Sequence, residues 1–223
     1  AQQKTGKLLQ VGHQRRSNLR YIHAYNKLVK EADILGRVTT VEGQWNRAAR
    51  PDLGWPKNAA IDQATLDKFG FKNMHQFRNW RWYKGLGGGP IVDLGSHQID
   101  IFSWFLESNP VSVQASGGTD YYSKDTHEWY DNVMAIYEYK TKDQIVRAFY
   151  KTLTTNGYGG YFEVFMGDEG TLEISESAGR GSVYRDPGNA PEWQKWVKKG
   201  YLKAPVKEET KSDVVLDARE TEA

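Results

Sequence analysis

Apolar and polar positions along the 223-residue chain follow two rhythms that change over near Pro110. In the first half the steps are mostly of three and four residues. Leu19, Ile22, Tyr25, Leu28 and Val29 recur at that spacing after Ser17 or Asn18, either of which can cap a helix, and before Gly36, so a helix is predicted here. Ahead of it the run Leu8-Leu9-Gln10-Val11, closed by Gly12, reads as a short buried strand. From Arg37 to Asn46 the apolar positions Val38, Val41 and Trp45 stand among threonines, a strand pattern. Residues 47–80 carry Pro51, Gly54, Pro56 and Gly70 with one amphipathic piece around Ala64 to Phe69. They predict a long connection holding one or two short helices, and connections of that length are more often functional than ornamental. Ile91, Leu94, Ile101, Trp104 and Phe105 then supply the apolar face of a single helix from about Ile91 to Leu106.

Beyond Pro110 the period becomes two. Val111, Val113 and Ala115 alternate with polar residues, as do Val133, Ala135, Tyr137 and Tyr139, and then the residues around Ile145, Arg147, Phe149 and Lys151. Thr141 to Gln144 make a hairpin connection, and Gly167-Asp168-Glu169-Gly170 make a second one between Tyr161–Met166 and Thr171–Ile174. Strands following helices in this way indicate an α+β fold with a mostly antiparallel sheet. No internal repeat is visible, and the residues from Lys207 onward are polar enough to fray.

Composition narrows the function classes. With 39% hydrophobic and 26% charged residues the chain is of a folding composition. Its 30 basic and 28 acidic residues are interspersed, with no Lys/Arg block to follow a phosphate backbone, so nucleic acid is not an expected partner. No window approaches eighteen consecutive apolar residues, so no membrane span is expected either. The absence of cysteine removes disulfides, thiolate metal sites and a cysteine nucleophile together.

The candidate chemistry centres on Gly87-Gly88-Gly89-Pro90-Ile91-Val92-Asp93-Leu94-Gly95-Ser96-His97-Gln98-Ile99-Asp100. In one continuous helix Asp93, His97 and Asp100, at i, i+4 and i+7, share a side. An imidazole can move a proton near neutral pH, and a carboxylate beside it can set its tautomer or bind a hydroxyl. The plainer alternative is that Asp93 charges a helix N-terminus and His97 merely packs. Consecutive glycines favour the first reading, because they let a ligand approach backbone N–H groups closely. A metal site is not expected, since no second ligand cluster accompanies these three. A dinucleotide-binding turn is missing: Gly85-Leu86-Gly87 begins as one, but Pro90 stands where the third glycine belongs. Arg47 at the end of the Trp45 strand, and Arg78, Trp80 and Tyr83 ahead of the glycines, combine planar donors with rings, which suits sugars. For Trp80 and Trp82 a plain core role is equally compatible.

Taken in order, Leu9-Gln10-Val11-Gly12-His13-Gln14-Arg15-Arg16, Gly36-Arg37-Val38, the glycine–Asp93–Gly95–His97–Asp100 pattern and Phe165-Met166-Gly167 through Gly170-Thr171-Leu172 resemble the Gfo/Idh/MocA family, the glucose–fructose oxidoreductase and inositol dehydrogenase relatives. The resemblance implies an open, mostly antiparallel sheet with helices on one face, serving as the C-terminal domain beside a Rossmann domain that binds NAD or NADP. It implies that residues 1–14 are the last strand of that Rossmann domain, with its other strands not in this chain. Residues 15–206 would then be the substrate-binding and oligomerisation domain, and 207–223 a polar tail. It implies His97 as catalytic acid/base with Asp93 holding the substrate hydroxyl or the imidazole. Arg47, Arg78, Trp80, Tyr83 and Asp100 are the candidates for lining a sugar or polyol pocket. Arg15 and Arg16, just past the expected strand end, are candidates for contact with substrate or cofactor phosphate, against the alternative of a salt bridge on the first helix. The family's catalytic lysine lies in a Glu-Lys-Pro segment, which this sequence does not contain, so hydride transfer by these residues alone is not expected. A glycosidase that uses bound NAD transiently, or a non-catalytic carbohydrate-binding module, is the alternative. A homo-oligomer through the sheet face is expected, in the cytoplasm or exported to the periplasm.

Overall fold

Seven strands form one sheet in the order β2-β3-β4-β1-β5-β6-β7. The chain is seen in a computed structural model that describes residues 2–49, 52–142, 144–177, 179–188 and 193–203. A turn of helix, α1 (Gln2–Thr5), precedes α2 (Leu19–His23), which runs on as a π-helix over Ala24–Glu31. The predicted cap holds: the Asn18 side chain accepts a hydrogen bond from the Arg20 N–H at 2.9 Å, satisfying one of the orphan donors of the first turn. The buried face is Tyr21, Ala24 and Leu28, whereas Leu19, expected on that face, is 80% exposed.

β1 (Val38–Asn46) follows, then α3 (Gln63–Lys68) and α4 (Met74–Arg78) within the long connection, as the sequence predicts. The single helix expected over 91–106 is two, α5 (Gly89–Asp93) and α6 (Gly95–Phe105), with the break at Leu94. β2 (Pro110–Gly118), β3 (Asn132–Lys140), β4 (Ile145–Leu153), β5 (Tyr161–Gly167) and β6 (Gly170–Ile174) confirm the alternating runs. β7 (Gly181–Arg185) carries too little apolar pattern to be seen in sequence, and it pairs with β6 from Gly170↔Arg185 to Ile174↔Gly181.

All pairings are antiparallel except β1 with β4, so the sheet is mixed at its centre only. In the register Val41, Gly43 and Trp45 stand beside Ala148, Tyr150 and Thr152 on one side and Phe165, Glu163 and Tyr161 on the other. These positions share one face, because side chains alternate along a strand and directly paired residues point the same way. Helix α6 covers that face, burying Ile101, Phe102 and Phe105 against Phe165. Its approach is close because β1 carries glycine at the crossing: a Cβ on Gly43 would lie 2.6 Å from the Phe102 ring. The opposite face is left uncovered by the described residues, with Met134, Ile136 and Phe149 exposed among Glu138, Arg147 and Glu42.

Residues 8–12 are not a strand. They run without regular structure, Leu8 wholly exposed and Leu9 and Val11 largely so, and no described strand lies beside them. A parallel strand draws its stability from neighbours on both sides and helices on both faces. By the grouping of its contacts the chain divides into residues 1–191 and 192–223. In the second unit α7 (Gln194–Lys198) is followed by a turn that stacks Tyr201 on Trp196, ring centroids 5.7 Å apart. The tail from 207 lies outside the described residues.

Candidate active site

Two long segments build a cavity of about 400 Å³ over the end of β1: residues 47–82, and the connection 119–131 between β2 and β3. The second is a loop with its own hydrogen-bonded frame. Asp131 Oδ2 accepts the backbone N–H groups of Asp120, Tyr121 and Tyr122 at 2.8–3.1 Å, and Asn132 donates to Oδ1 at 2.9 Å. Burial pushes this carboxyl up, but the amides of Tyr121 and Tyr122 with the Asn132 side chain outweigh it and hold it below the usual carboxylate range. The His127 ring lies between Trp82 and Tyr122, with centroids 3.9 and 4.0 Å away, which ties the loop to the first segment. Trp129 Nε1 donates to Gly87 O at 2.9 Å, and the Glu128 N–H to Trp82 O at 2.9 Å, completing the attachment.

The glycines serve this junction. Gly89 has φ of +72° and is buried with a would-be Cβ 2.9 Å from Trp129, so only glycine fits where α5 begins against that ring. Gly87 and Gly88 line a second cavity, of about 480 Å³, together with Gly12, His13, Trp80 and Val92. Arg81, Gly89, Asp93 and His97 line both cavities and so form their common boundary.

At that boundary the helix break redirects the three ionisable groups. Asp93 closes α5, with Arg81 Nε donating to Oδ1 at 2.8 Å and Arg47 Nη1 lying 4.0 Å from Oδ2. Asp100, one helix further on, turns away: Arg16 binds it through Nε and Nη2 at 2.8–3.0 Å, and His13 Nδ1 is 3.8 Å off. Asp93 and Asp100 therefore do not act as one face, and Asp100 lines neither cavity. His97 stands between them, half-buried, with its ring 5.4 Å from Trp45 and 5.8 Å from His13. Its Nδ1 is buried without a hydrogen-bond partner among the described residues, and no hydrogen bond joins it to Asp93. An imidazolium would put a second donor there with nothing to accept it. Burial, the Arg15 charge and His13 all push its pKa below the ordinary histidine value, against smaller opposing effects of Glu176 and Asp93.

The other expected site residues divide. Arg47 and Arg78 line the first cavity; Arg78 Nε donates to Gly54 O at 2.8 Å. Trp80 lines the second, with the Arg81 guanidinium 4.3 Å above its ring. Tyr83 lines neither: it is buried, and its hydroxyl meets His75 Nδ1 at 2.9 Å, whose Nε2 contacts Asp52 Oδ2 at 2.6 Å. That chain braces the 47–82 segment. Arg15 and Arg16, expected at a cofactor, also lie outside both cavities. Arg15 is 1% exposed, bound to Glu163 Oε1 at 2.6 Å and Glu176 Oε2 at 3.1 Å, so its salt bridges run to β5 and the segment after β6 and not along the first helix as expected. The sequence reading missed Tyr122, His127, Trp129 and Asp131 as lining residues. Their signal was a thirteen-residue connection dense in rings, between two otherwise hairpin-like strands.

This arrangement can hold a small polyhydroxylated molecule between rings and guanidinium groups, beside an imidazole whose pKa is pushed below its ordinary value and an ion-paired carboxylate. A described metal cluster of three or more His, Asp or Glu groups is absent. A family model, the GFO/IDH/MocA C-terminal domain, matches residues 24–173, about two thirds of the chain, and the protein belongs to that family. YteT of Bacillus subtilis, named as an oxidoreductase, is 30% identical over 115 residues, 50% of this chain and 22% of that protein. Among solved structures, the fold is shared with an NAD binding oxidoreductase from Klebsiella pneumoniae (TM-score 0.57, 19% identity, 84% of this chain and 47% of that one). It is shared with aldose-aldose oxidoreductase from Caulobacter crescentus complexed with glycerol (TM-score 0.57, 18% identity, 85% and 51%). The WlbA dehydrogenase from Bordetella pertussis, in complex with NADH and UDP-GlcNAcA, is similar to the same degree (TM-score 0.56, 19% identity, 83% and 48%). The chain thus spans about half the length of these solved relatives and about a fifth of YteT. No helix among the described residues is long and apolar enough to cross a membrane.

Proposed function

We propose that this chain is the substrate-handling domain of an NAD(P)-dependent oxidoreductase acting on a sugar or polyol hydroxyl, with the first cavity as the substrate site. The observation that carries the reading is His97, an uncharged-leaning imidazole on the shared boundary of two cavities, with Asp93 beside it clamped by Arg81. The relatives of this fold that bind NADH, a sugar nucleotide or glycerol support it.

The second cavity fits the nicotinamide end of a dinucleotide: Trp80 and Val92 offer apolar surface, and Gly87 and Gly88 leave backbone accessible. When bound, that group supplies the acceptor for hydride. In the oxidation direction His97 takes the proton of the reacting hydroxyl as a general base. Asp93, fixed by Arg81 and Arg47, accepts a hydrogen bond from a hydroxyl and sets which carbon is presented. The rings of Trp45, Trp82 and Trp129 exclude water and meet the sugar's C–H faces. The lysine the family uses would come from outside these residues, since Glu-Lys-Pro is absent from them. On the same reading residues 8–12, which are exposed and irregular here, would pair as a strand into a Rossmann sheet. The uncovered sheet face around Met134, Ile136 and Phe149 meets a second copy, and light scattering that found only monomers would remove that part.

The test of the central claim is His97→Asn in the full-length enzyme. Turnover is expected to fall by about 10²–10⁴ with substrate KM little changed. In the wild type kcat/KM should rise with pH through a pKa below the ordinary value of about 6.5. Undiminished turnover in the variant removes the acid/base role.

A further inference from the structure

The charges in the cavity wall are unequal. Three guanidinium groups, Arg47, Arg78 and Arg81, line it with two carboxylates, Asp93 and Asp131. Asp131 is turned to its own loop's amides, and Asp93 is the shared partner of Arg81 and Arg47. Arg78 has neither: its Nε is oriented by the Gly54 carbonyl, and no carboxylate among the described residues lies within ion-pair distance of it. Arg78 is exposed where it lines the cavity, and a neutral acceptor holds its guanidinium without neutralising it, so its charge can pair with a planar or tetrahedral anion in place of water. Sugar hydroxyls accept from guanidinium groups but gain as much from neutral amides, so the excess charge adds an affinity that an uncharged hexose leaves unused.

We propose that the cavity takes a sugar bearing a negative charge, a carboxylate or a phosphate, and that Arg78 is the residue that selects it. The inference rests on the reading of this cavity as a sugar site and adds its charge class. The anion pairs with Arg78 at the loop end, while the reacting hydroxyl lies at the His97 boundary. The rings between them hold the sugar body.

The experiment is calorimetric titration of the chain with glucuronate, glucose 6-phosphate and glucose, in the wild type, Arg78→Gln and Arg78→Lys, each checked for folding by circular dichroism. One anion should bind at least about 10-fold more tightly than glucose, the better one identifying carboxylate or phosphate. Arg78→Gln should bring that anion to within about twofold of glucose, and Arg78→Lys should retain part of the preference. Glucose binding as tightly as both anions overturns the charge class and leaves the sugar reading standing. A preference for anions that survives Arg78→Gln overturns the assignment to this residue. Failure of all three sugars to bind at millimolar concentration overturns the sugar reading and the inference with it.

Discussion

Arg15 and Arg78 are the same side chain in opposite circumstances at the candidate site. Arg15 lies under it, 1% exposed, its guanidinium 5.3 Å from the Trp45 ring that also lines the cavity. Its charge is answered by Glu163 and Glu176, and Glu163 in turn accepts the Tyr21 hydroxyl at 2.6 Å. Burial pushes the Glu163 carboxyl up, Arg15 and Tyr21 pull it down, and the balance leaves it at about 7. Arg78 lies exposed on the cavity wall, and among the described residues its guanidinium is held by the Gly54 carbonyl and paired with no carboxylate. Where the fold supplies the counter-charge, an arginine is part of the scaffold; where the fold supplies orientation alone, the counter-charge is left to a ligand. The first arrangement is costly to disturb, and the second is costly only when the ligand is present.

The contrast breaks or sharpens under substitution. Arg15→Met should lower stability to urea by about 3–5 kcal/mol, because it strands Glu163 in the interior, and adding Glu163→Leu should recover most of the loss. A small effect of the single change would mean that the buried pair is not what supports Trp45 from below. Glu163 also predicts a pH dependence. Its folded-state pKa lies above the value of 4.5 it has when unfolded, so the native chain binds the extra proton between the two. Its contribution to stability is therefore complete below pH 4.5 and is lost as pH rises through about 7, and in Glu163→Gln that decline should vanish from the stability profile. Next in size, Asp131→Ala leaves three loop amides without their acceptor and should cost about 1–3 kcal/mol, with faster hydrogen exchange confined to residues 119–131. Smallest is Arg78→Gln, expected to move stability by no more than about 0.5 kcal/mol in the absence of a sugar. A much larger loss would make Arg78 scaffold and dissolve the comparison.

The strands from β2 to β6 and the Asn18 cap were legible because alternation and capping are properties of neighbouring residues. So were Asp93 and His97 as candidates, since their spacing lies within one short segment. Their grouping with Asp100 was not, because Leu94 interrupts the helix and turns Asp93 toward Arg81 while Asp100 goes to Arg16. Tyr83 and Arg15 were read as site residues from their type and their place beside the glycines and the expected strand end, and their burial on His75 and Glu163 could not be seen from spacing.

What the sequence by itself determined is the alternation that makes the sheet, the ends of its hairpins and the motif that carries His97. The tertiary structure alone decided which charges meet. Arg15 and Glu163 are 148 positions apart, and the cavity draws on residues from Trp45 to Thr154. Hydrophobic periodicity is a local signal, whereas an ion pair and a cavity wall exist only after distant segments have been packed together, and it is that packing which leaves Arg15 neutralised and Arg78 waiting.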